Sequence, residues 1–199
     1  MKIIGITGGV GAGKSTVLSF LKKKCNCEII MADDVAKELM KKGNILSEKA
    51  YELFGEKAYD ENGFLNRNHI AEIVYNDPSI MKEWEDAVHP ATNSRIFSLI
   101  NDAKKKNADF VFIEAALLIE NNYNEICDEI WYVFADEETR RNRLKSERKY
   151  SDAKIDSIFA SQMKDTEFRK HCRFVIDTSG SVEATALQLE NKLEEYKLL

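Results

Sequence analysis

The sequence is poor in the residues that break or staple a chain. Its 199 residues include only two prolines and nine glycines, which argues against a Pro/Gly-rich linker between independent modules. Cysteine and histidine are scarce too. Cys25 and Cys27 form one C-x-C pair, Cys127 and Cys172 stand apart, and His69, His89 and His171 complete no zinc-ligand spacing with them. The four cysteines therefore read as reduced structural thiols of a cytosolic protein. No apolar run approaches the roughly 18 residues needed to span a bilayer. The opening MKIIGITGG is too short an apolar stretch before its glycines to be a secretory h-region. A net charge of -5 gives no global basic surface for nucleic acid or an anionic membrane. What is present is ordinary globular material, 44% hydrophobic and 32% charged. That is enough for one domain, or one domain carrying an insertion. A soluble, cytoplasmic protein is expected, with no nucleic-acid or membrane partner, as a monomer or weak homo-oligomer.

Short apolar runs alternate with helical patterns. Residues 2–6 (KIIGI), 28–32 (EIIMA), 109–113 (DFVFI), 130–135 (IWYVFA) and 173–177 (RFVID) read as buried strands. Near-continuous apolar strands separated by helices predict a parallel sheet covered on both faces, an α/β fold with three layers. Residues 34–106 and 137–171 are polar and helical, with breaks in the first at Gly43, Asn62-Gly63 and Pro78, and they read as insertions on the sheet. Val182, Ala186, Leu189, Leu193 and Tyr196 give an amphipathic closing helix. In such folds ligands bind beyond the carboxyl ends of the strands, so the residues at those ends matter most.

After the first strand comes GGVGAGKS, Gly8 to Ser15, a G-x-x-x-x-G-K-S phosphate loop with a strand before it and a helix after. Glycines let backbone N–H groups turn inward around an anion, and the following helix presents its positive end. Gly11, Ala12, Gly13, Lys14, Ser15 and Thr16 would thus hold ATP. Lys14 would reach the β and γ phosphates, and the Ser15 hydroxyl would hold Mg²⁺. After the second strand stand Asp33 and Asp34. Asp33 either accepts a proton from an attacking hydroxyl or caps the next helix. Glu114 closes the third strand, either as a Walker B-like carboxylate for Mg²⁺ or as a helix cap. Between residues 140 and 149, six cations (Arg140, Arg141, Arg143, Lys145, Arg148, Lys149) face Glu147 alone. This is an arginine-bearing lid over ATP or a solvated helix face.

Taken in order, these elements resemble the dephospho-CoA kinases along essentially the whole chain. GITGGVGAGKST at 5–16 is similar to the family's opening, MADDVAKEL at 31–39 to its D-A-D-x-x-A-x-x-L element, and ENGFLNR at 61–67 to its D-G-x-L-x-R segment. His89-Pro90 matches its His-Pro pair, ALLIE at 116–120 its P-L-L-x-E, the Arg143 to Ser161-Gln162 spacing its lid helix, and FVIDTSGS at 174–181 its V-I-D-N-x-G-S. Met31, Glu114, Ala116, Glu147-Arg148 and Thr178 depart from the pattern, and Lys14, Ser15 and Asp33 do not.

The resemblance implies a five-stranded P-loop kinase fold. Residues 1–33, 107–136 and 172–199 would form its nucleotide-binding core, 34–106 an acceptor-binding insert and 137–171 a lid. It also implies phosphorylation of the ribose 3′-hydroxyl of dephospho-CoA by ATP and Mg²⁺. Asp33, Lys14 and Arg143 would be catalytic and Arg148 a further nucleotide contact. Thr7, Asp33, Arg67 and His89 would contact the acceptor. Arg67 reads equally well as a surface arginine and His89 as a packed histidine beside a proline turn. A nucleoside monophosphate kinase shares the plan, and a non-catalytic nucleotide-binding regulator shares the loop. The His-Pro and ALLIE elements favour the dephospho-CoA reading.

Overall fold

A computed structural model describes residues 1–115, 117–119 and 123–197; Ala116 and Glu120 of the ALLIE segment lie outside them. The chain divides into two compact units, Met1–Ile29 with Ala103–Leu199, and Ile30–Asp102.

The first unit is built on a five-stranded sheet. Its strands are β1 (Lys2–Thr7), β2 (Cys27–Met31), β3 (Phe110–Glu114), β4 (Glu129–Phe134) and β5 (Phe174–Asp177), in the order β2-β3-β1-β4-β5. β1 pairs in parallel with β3 (Ile6 opposite Glu114) and with β4 (Thr7 opposite Tyr132), and β4 pairs in parallel with β5. These pairings draw Thr7 and Glu114 into the ladder, one residue past the runs that hydrophobicity alone delimits. The order matters for the site. From β1 the chain goes to the edge strand β2, returns to β3 beside β1 and then crosses to β4 on the other side, so the segment after β1 leaves the sheet at its topological switch point. The middle strands are buried on both faces. Ile4, Ile6, Val111, Phe112, Ile113, Trp131, Val133 and Ile176 have no exposed surface, as continuous apolar strands require. The Trp131 ring lies 5.7 Å from Phe112 and 5.2 Å from Phe174.

Helices cover the sheet. α1 (Lys14–Lys24) buries Val17, Leu18 and Leu21. The closing helix, Val182–Lys197, buries Thr185, Leu189 and Leu193, an i, i+4, i+8 stripe, while Val182 is 64% exposed. The expected stripe therefore starts one turn late. Val182 is the first residue of the helix, before its buried face begins, and Thr185 takes the core position.

The second unit is helical, with α2 (Ala32–Leu39), α3 (Ser47–Phe54), α4 (Arg67–Asn76) and most of α5 (Ser79–Lys105). Its core gathers Leu46, Ala50, Phe54, Ala58, Tyr59 and Trp84, and the Phe54 and Trp84 rings meet edge to face at 5.4 Å. Breaks fall at Gly43, Asn62-Gly63 and Pro78 as the sequence suggests. A single antiparallel bridge, Tyr59 to Leu65, closes the middle one. There Asp60 Oδ1 accepts from the backbone N–H groups of Asn62 and Phe64, both at 2.9 Å. Pro90 does not make a turn. It lies inside the continuous helix α5, which therefore forgoes one backbone hydrogen bond there.

Phe54 is 1% exposed. Phe54→Ala is expected to lower the unfolding free energy by about 3–5 kcal/mol, read as a reduced urea midpoint at unchanged slope. A loss under about 1 kcal/mol would mean that the Phe54–Trp84 contact does not hold this unit together.

Candidate active site

The glycines of the loop after β1 serve distinct steric needs. Gly8 has φ +149°, and a Cβ built on it would sit 2.3 Å from the carbonyl oxygen of Val133 on β4. Only glycine lets the loop leave the sheet this close to its neighbour. Gly13 is the N-cap of α1 in the left-handed region, φ 89°. The first turn of α1 carries no acidic residue and its last turn carries Lys22, Lys23 and Lys24. The positive end of the helix is thus left uncompensated toward the loop, as an anion site needs. Ser15 and Thr16 are exposed on that first turn.

Lys14 is fixed in place. Its Nζ donates to the Gly8 carbonyl at 2.7 Å and lies 3.5 Å from Glu114 Oε1. Glu114 is 7% exposed at the end of β3. Among the described residues a turn at 117–119 follows Glu114, before the 3-10 segment Tyr123–Glu125. Thr7 is 1% exposed, and its hydroxyl makes no hydrogen bond among the described residues.

The basic segment forms α6 (Glu137–Arg148), capped by Asp136, whose side chain accepts from the Thr139 N–H at 2.7 Å. Its charges divide by helix face. Arg143 Nη1 donates to Thr178 Oγ1 at 3.1 Å and to the Gly11 carbonyl at 3.3 Å, and Nη2 donates to the Thr178 carbonyl at 2.6 Å. Arg140, one turn earlier, donates from Nε to the Val10 carbonyl at 2.9 Å and from Nη2 to Gln162 Oε1. Burial pulls the Arg140 guanidinium below its ordinary pKa. On the other face, Arg141 pairs with Asp156 at 2.6 Å and with Asp152 at 3.1 Å, and Lys145 pairs with Asp152 at 2.7 Å. Those acids belong to the next helix, Asp152–Ser161. Arg148 and Lys149 are exposed. The segment is thus neither wholly a clamp nor wholly a solvated face. Arg140 and Arg143 contact the phosphate loop, and Arg148 has no hydrogen bond or ion pair among the described residues.

For two residues that the sequence reading names, Arg140 among the lid cations and Thr178 among the departures from the family pattern, it assigns no contact with the loop. Arg140 was legible in principle, because Arg140, Arg143 and Leu144 (1% exposed) share one helix face by their i, i+3, i+4 spacing. Thr178 was not. It is 5% exposed, and its hydroxyl donates to the Ala12 carbonyl at 2.7 Å while accepting from Arg143. Nothing local in the sequence signals that brace.

In the helical unit Asp33 is the second residue of α2 and is exposed. It is not the cap, since Met31 holds that position and supplies no side-chain bond. Asp34 pairs with Lys37 at 2.7 Å, whereas the Asp33 carboxylate makes no hydrogen bond among the described residues. Arg67 is exposed at the first position of α4, behind the Asn66 cap. With Lys37, Lys41, Phe64, Met81 and Trp84 it lines a groove of about 550 Å³. His89 is exposed on α5 rather than packed beside a turn. The histidine that is packed is His69, whose Nε2 donates to the Phe54 carbonyl at 2.9 Å. Among the described residues no cluster of three or more His, Cys, Asp or Glu side chains could hold a metal, and no helix is long and apolar enough to cross a membrane.

Comparison with known proteins agrees with this geometry. The family model of dephospho-CoA kinase matches residues 2–184. The dephospho-CoA kinase of Oceanobacillus iheyensis is 31% identical over 196 residues, covering 98% of each chain. That of Staphylococcus epidermidis is 34% identical over 198 residues, covering 98% of this chain and 95% of its own. The crystal structure of TT1252 from Thermus thermophilus superposes with a TM-score of 0.79 at 30% identity, over 98% of this chain and 97% of that one. A phosphate loop on the central strand, with its lysine held by a strand-end carboxylate, thus sits in a chain matched end to end: the protein belongs to the dephospho-CoA kinase family.

Proposed function

We propose that this chain carries out its family's reaction through the residues described above: the ribose 3′-hydroxyl of dephospho-CoA attacks the γ-phosphorus of ATP, giving coenzyme A and ADP, the last step of coenzyme A synthesis. The observation that carries the reading is the fixed Lys14, gripped by the Gly8 carbonyl and the buried Glu114 at the mouth of a glycine loop. Phosphates arriving at that loop compete for Lys14 and meet backbone N–H groups of the loop from Gly11 to Ser15, with Thr16 following on the first turn, as well as the positive end of α1. Arg143 and Arg140 stand beside the loop, where a guanidinium neutralises charge on a transferring phosphoryl group. Asp33 takes the proton of the attacking hydroxyl. Its support is an exposed carboxylate just past the end of β2, not committed to capping. Arg67 and His89 contact the acceptor, Thr7 lies beneath the phosphates, and Arg148 closes on nucleotide from the end of α6. The same reading puts the protein in the cytoplasm, as a monomer or weak homo-oligomer.

The residues fit Mg²⁺. Ser15 Oγ and the Glu114 carboxylate are hard oxygen donors. Magnesium takes one or two such groups from a protein and the rest of its shell from phosphate and water. When bound, the ion offsets charge on the β and γ oxygens.

The groove beside Arg67 favours dephospho-CoA over a nucleoside monophosphate. Phe64, Leu65, Ile70, Met81 and Trp84 make it apolar, and Arg67, Lys37 and Lys41 add cations. An acceptor with an uncharged arm and phosphates uses both features, whereas a nucleoside monophosphate has no such arm.

Four outcomes are expected. Purified protein with ATP and Mg²⁺ should form ADP with dephospho-CoA and not with nucleoside monophosphates, and the reverse preference would overturn the reading. In the same assay Asp33→Asn should lower kcat about 10²–10⁴-fold, and near-normal turnover would remove Asp33 from proton transfer. Glu114→Gln should raise the Mg²⁺ concentration at half-maximal rate about tenfold or more, and an unchanged magnesium titration would sink the metal assignment. Thr178→Val leaves the Ala12 carbonyl without its donor. It should cost about 1–3 kcal/mol of stability and raise KM for ATP more than it lowers kcat; an unaltered melting temperature would show the brace to be idle.

A further inference from the structure

Arg140 and Arg143 both reach the phosphate loop from α6, but they hold different ends of it. Arg143 bonds the Gly11 and Thr178 carbonyls and Thr178 Oγ1, and a Cβ built on Gly13 would lie 3.4 Å from its Nη1. It stands at the helix end of the loop, where backbone N–H groups cradle the α and β phosphates. Both of its terminal nitrogens are engaged there. Arg140 stands at the strand end. Its Nε bonds the Val10 carbonyl. The three atoms that a Cβ on Gly9 would meet first, the nearest at 2.5 Å, all belong to its guanidinium. Gly8, the next residue back, holds the Lys14 Nζ. Since that lysine reaches the β and γ phosphates, Arg140 lies on the γ side. Among the described residues the Arg140 Nη1 makes no hydrogen bond, so its two N–H groups remain for a ligand.

The guanidinium is held from outside α6. Its Cζ lies 4.3 Å from the centroid of the Phe159 ring. Gln162, the residue just past the helix Asp152–Ser161, accepts from its Nη2 through Oε1. A guanidinium carries no acceptor, so the amide oxygen must face it. Glu137, one turn earlier on α6, pairs instead with Arg141 at 3.2 Å. Both oxygens bonded to Arg140 are therefore neutral. A carboxylate at position 162 would grip the guanidinium at least as firmly but would cancel its charge. An amide fixes its direction and leaves the charge in place.

We propose that Arg140 is the arginine that meets the γ-phosphoryl group and that Gln162 is its positioning residue, a reading that rests on the phosphoryl transfer proposed above. The family resemblance gives the catalytic role to Arg143. On this assignment Arg143 instead braces the loop for the α and β phosphates.

The test is calorimetry on the intact protein with Mg²⁺, comparing ADP with adenylyl imidodiphosphate, whose γ-phosphoryl group is not transferred. Wild-type protein should bind the second at least about tenfold more tightly. Arg140→Met and Gln162→Glu should each erase most of that preference while ADP affinity stays near the wild-type value, which also reports a folded loop. Arg143→Met should weaken both nucleotides alike, by about tenfold or more. In the kinase assay at saturating ATP, Arg140→Met should lower kcat about 10²–10³-fold, and Gln162→Glu about tenfold. Gln162→Glu is the sharper variant, because it keeps the acceptor oxygen, and a residue that merely held α6 to its successor would tolerate it. The proposal fails if the wild type binds both nucleotides equally, if Arg140→Met weakens them in equal proportion, or if Gln162→Glu keeps the wild-type preference. These binding measurements need no acceptor. A wild type that prefers the γ-phosphorylated nucleotide, loses that preference in both variants, yet forms no ADP with dephospho-CoA would overturn the acceptor reading and leave this one standing.

Discussion

The steric fit between Gly8 and the Val133 carbonyl is the constraint on which the nucleotide unit depends. A side chain at Gly8 would need to occupy a backbone oxygen's position, so the loop can leave β1 toward β4 only because nothing projects there. From that exit the loop is tied to every neighbouring element of its unit. It is held to β3 through Lys14 and Glu114, to the segment after β5 through Thr178 and Ala12, and to α6 through Arg140 and Arg143. Each tie uses a loop carbonyl or the loop lysine, which leaves the N–H groups at the start of α1 oriented for an anion. A loop with three glycines at positive φ would otherwise lose much conformational entropy on ordering. The surrounding bonds offset that loss before any nucleotide arrives, which is preorganisation in the sense that matters for phosphoryl transfer.

Charge follows the same logic. A chain of net -5 concentrates six cations in one ten-residue segment, and helical geometry then separates them. The face carrying Arg141 and Lys145 is neutralised by Asp152 and Asp156, exposed pairs that contribute little to stability but link α6 to its successor. The face carrying Arg140 and Arg143 meets backbone carbonyls and Thr178 instead of carboxylates. A guanidinium bonded to neutral oxygens keeps its net charge, so it remains able to attract phosphate, whereas an arginine in an ion pair would first have to leave its partner. Neutral hydrogen-bond partners are therefore as much a part of the site as the arginines.

How far the sequence shows this depends on the range of the interaction. The strands were readable because strands buried on both faces need continuous apolar residues, and the phosphate loop because its spacing is local. The position of Glu114 at a strand end was readable too, but its contact with Lys14 is not, since the pairing follows from β3 lying beside β1. Thr178 braces a loop more than 160 residues away in sequence, and no local pattern encodes that. Local rules also misled where they competed with context. Pro90 is tolerated inside a long helix, Val182 fits the apolar period yet precedes the buried face, and Asp33 looks like a cap beside a methionine that occupies the capping position.

The two units place their functional residues under different energetic terms. Gly8, Lys14, Glu114 and Thr178 are partly or wholly buried and serve the fold and the site together, so changing any of them perturbs both. Asp33, Arg67 and His89, the residues proposed to meet the acceptor, are exposed on a helical unit that has its own core around Phe54 and Trp84. Exposed polar groups contribute little to stability, which frees their chemistry to be set by the acceptor rather than by packing. Such groups gain ordered partners only when ligand is bound, and that is where binding energy can be directed toward the transition state instead of the ground state. A rigid donor loop and an acceptor unit with uncommitted side chains are thus complementary solutions. On the proposed reading, ATP phosphates would be held by geometry that exists beforehand, and the acceptor hydroxyl by groups whose cost of reorganisation is small.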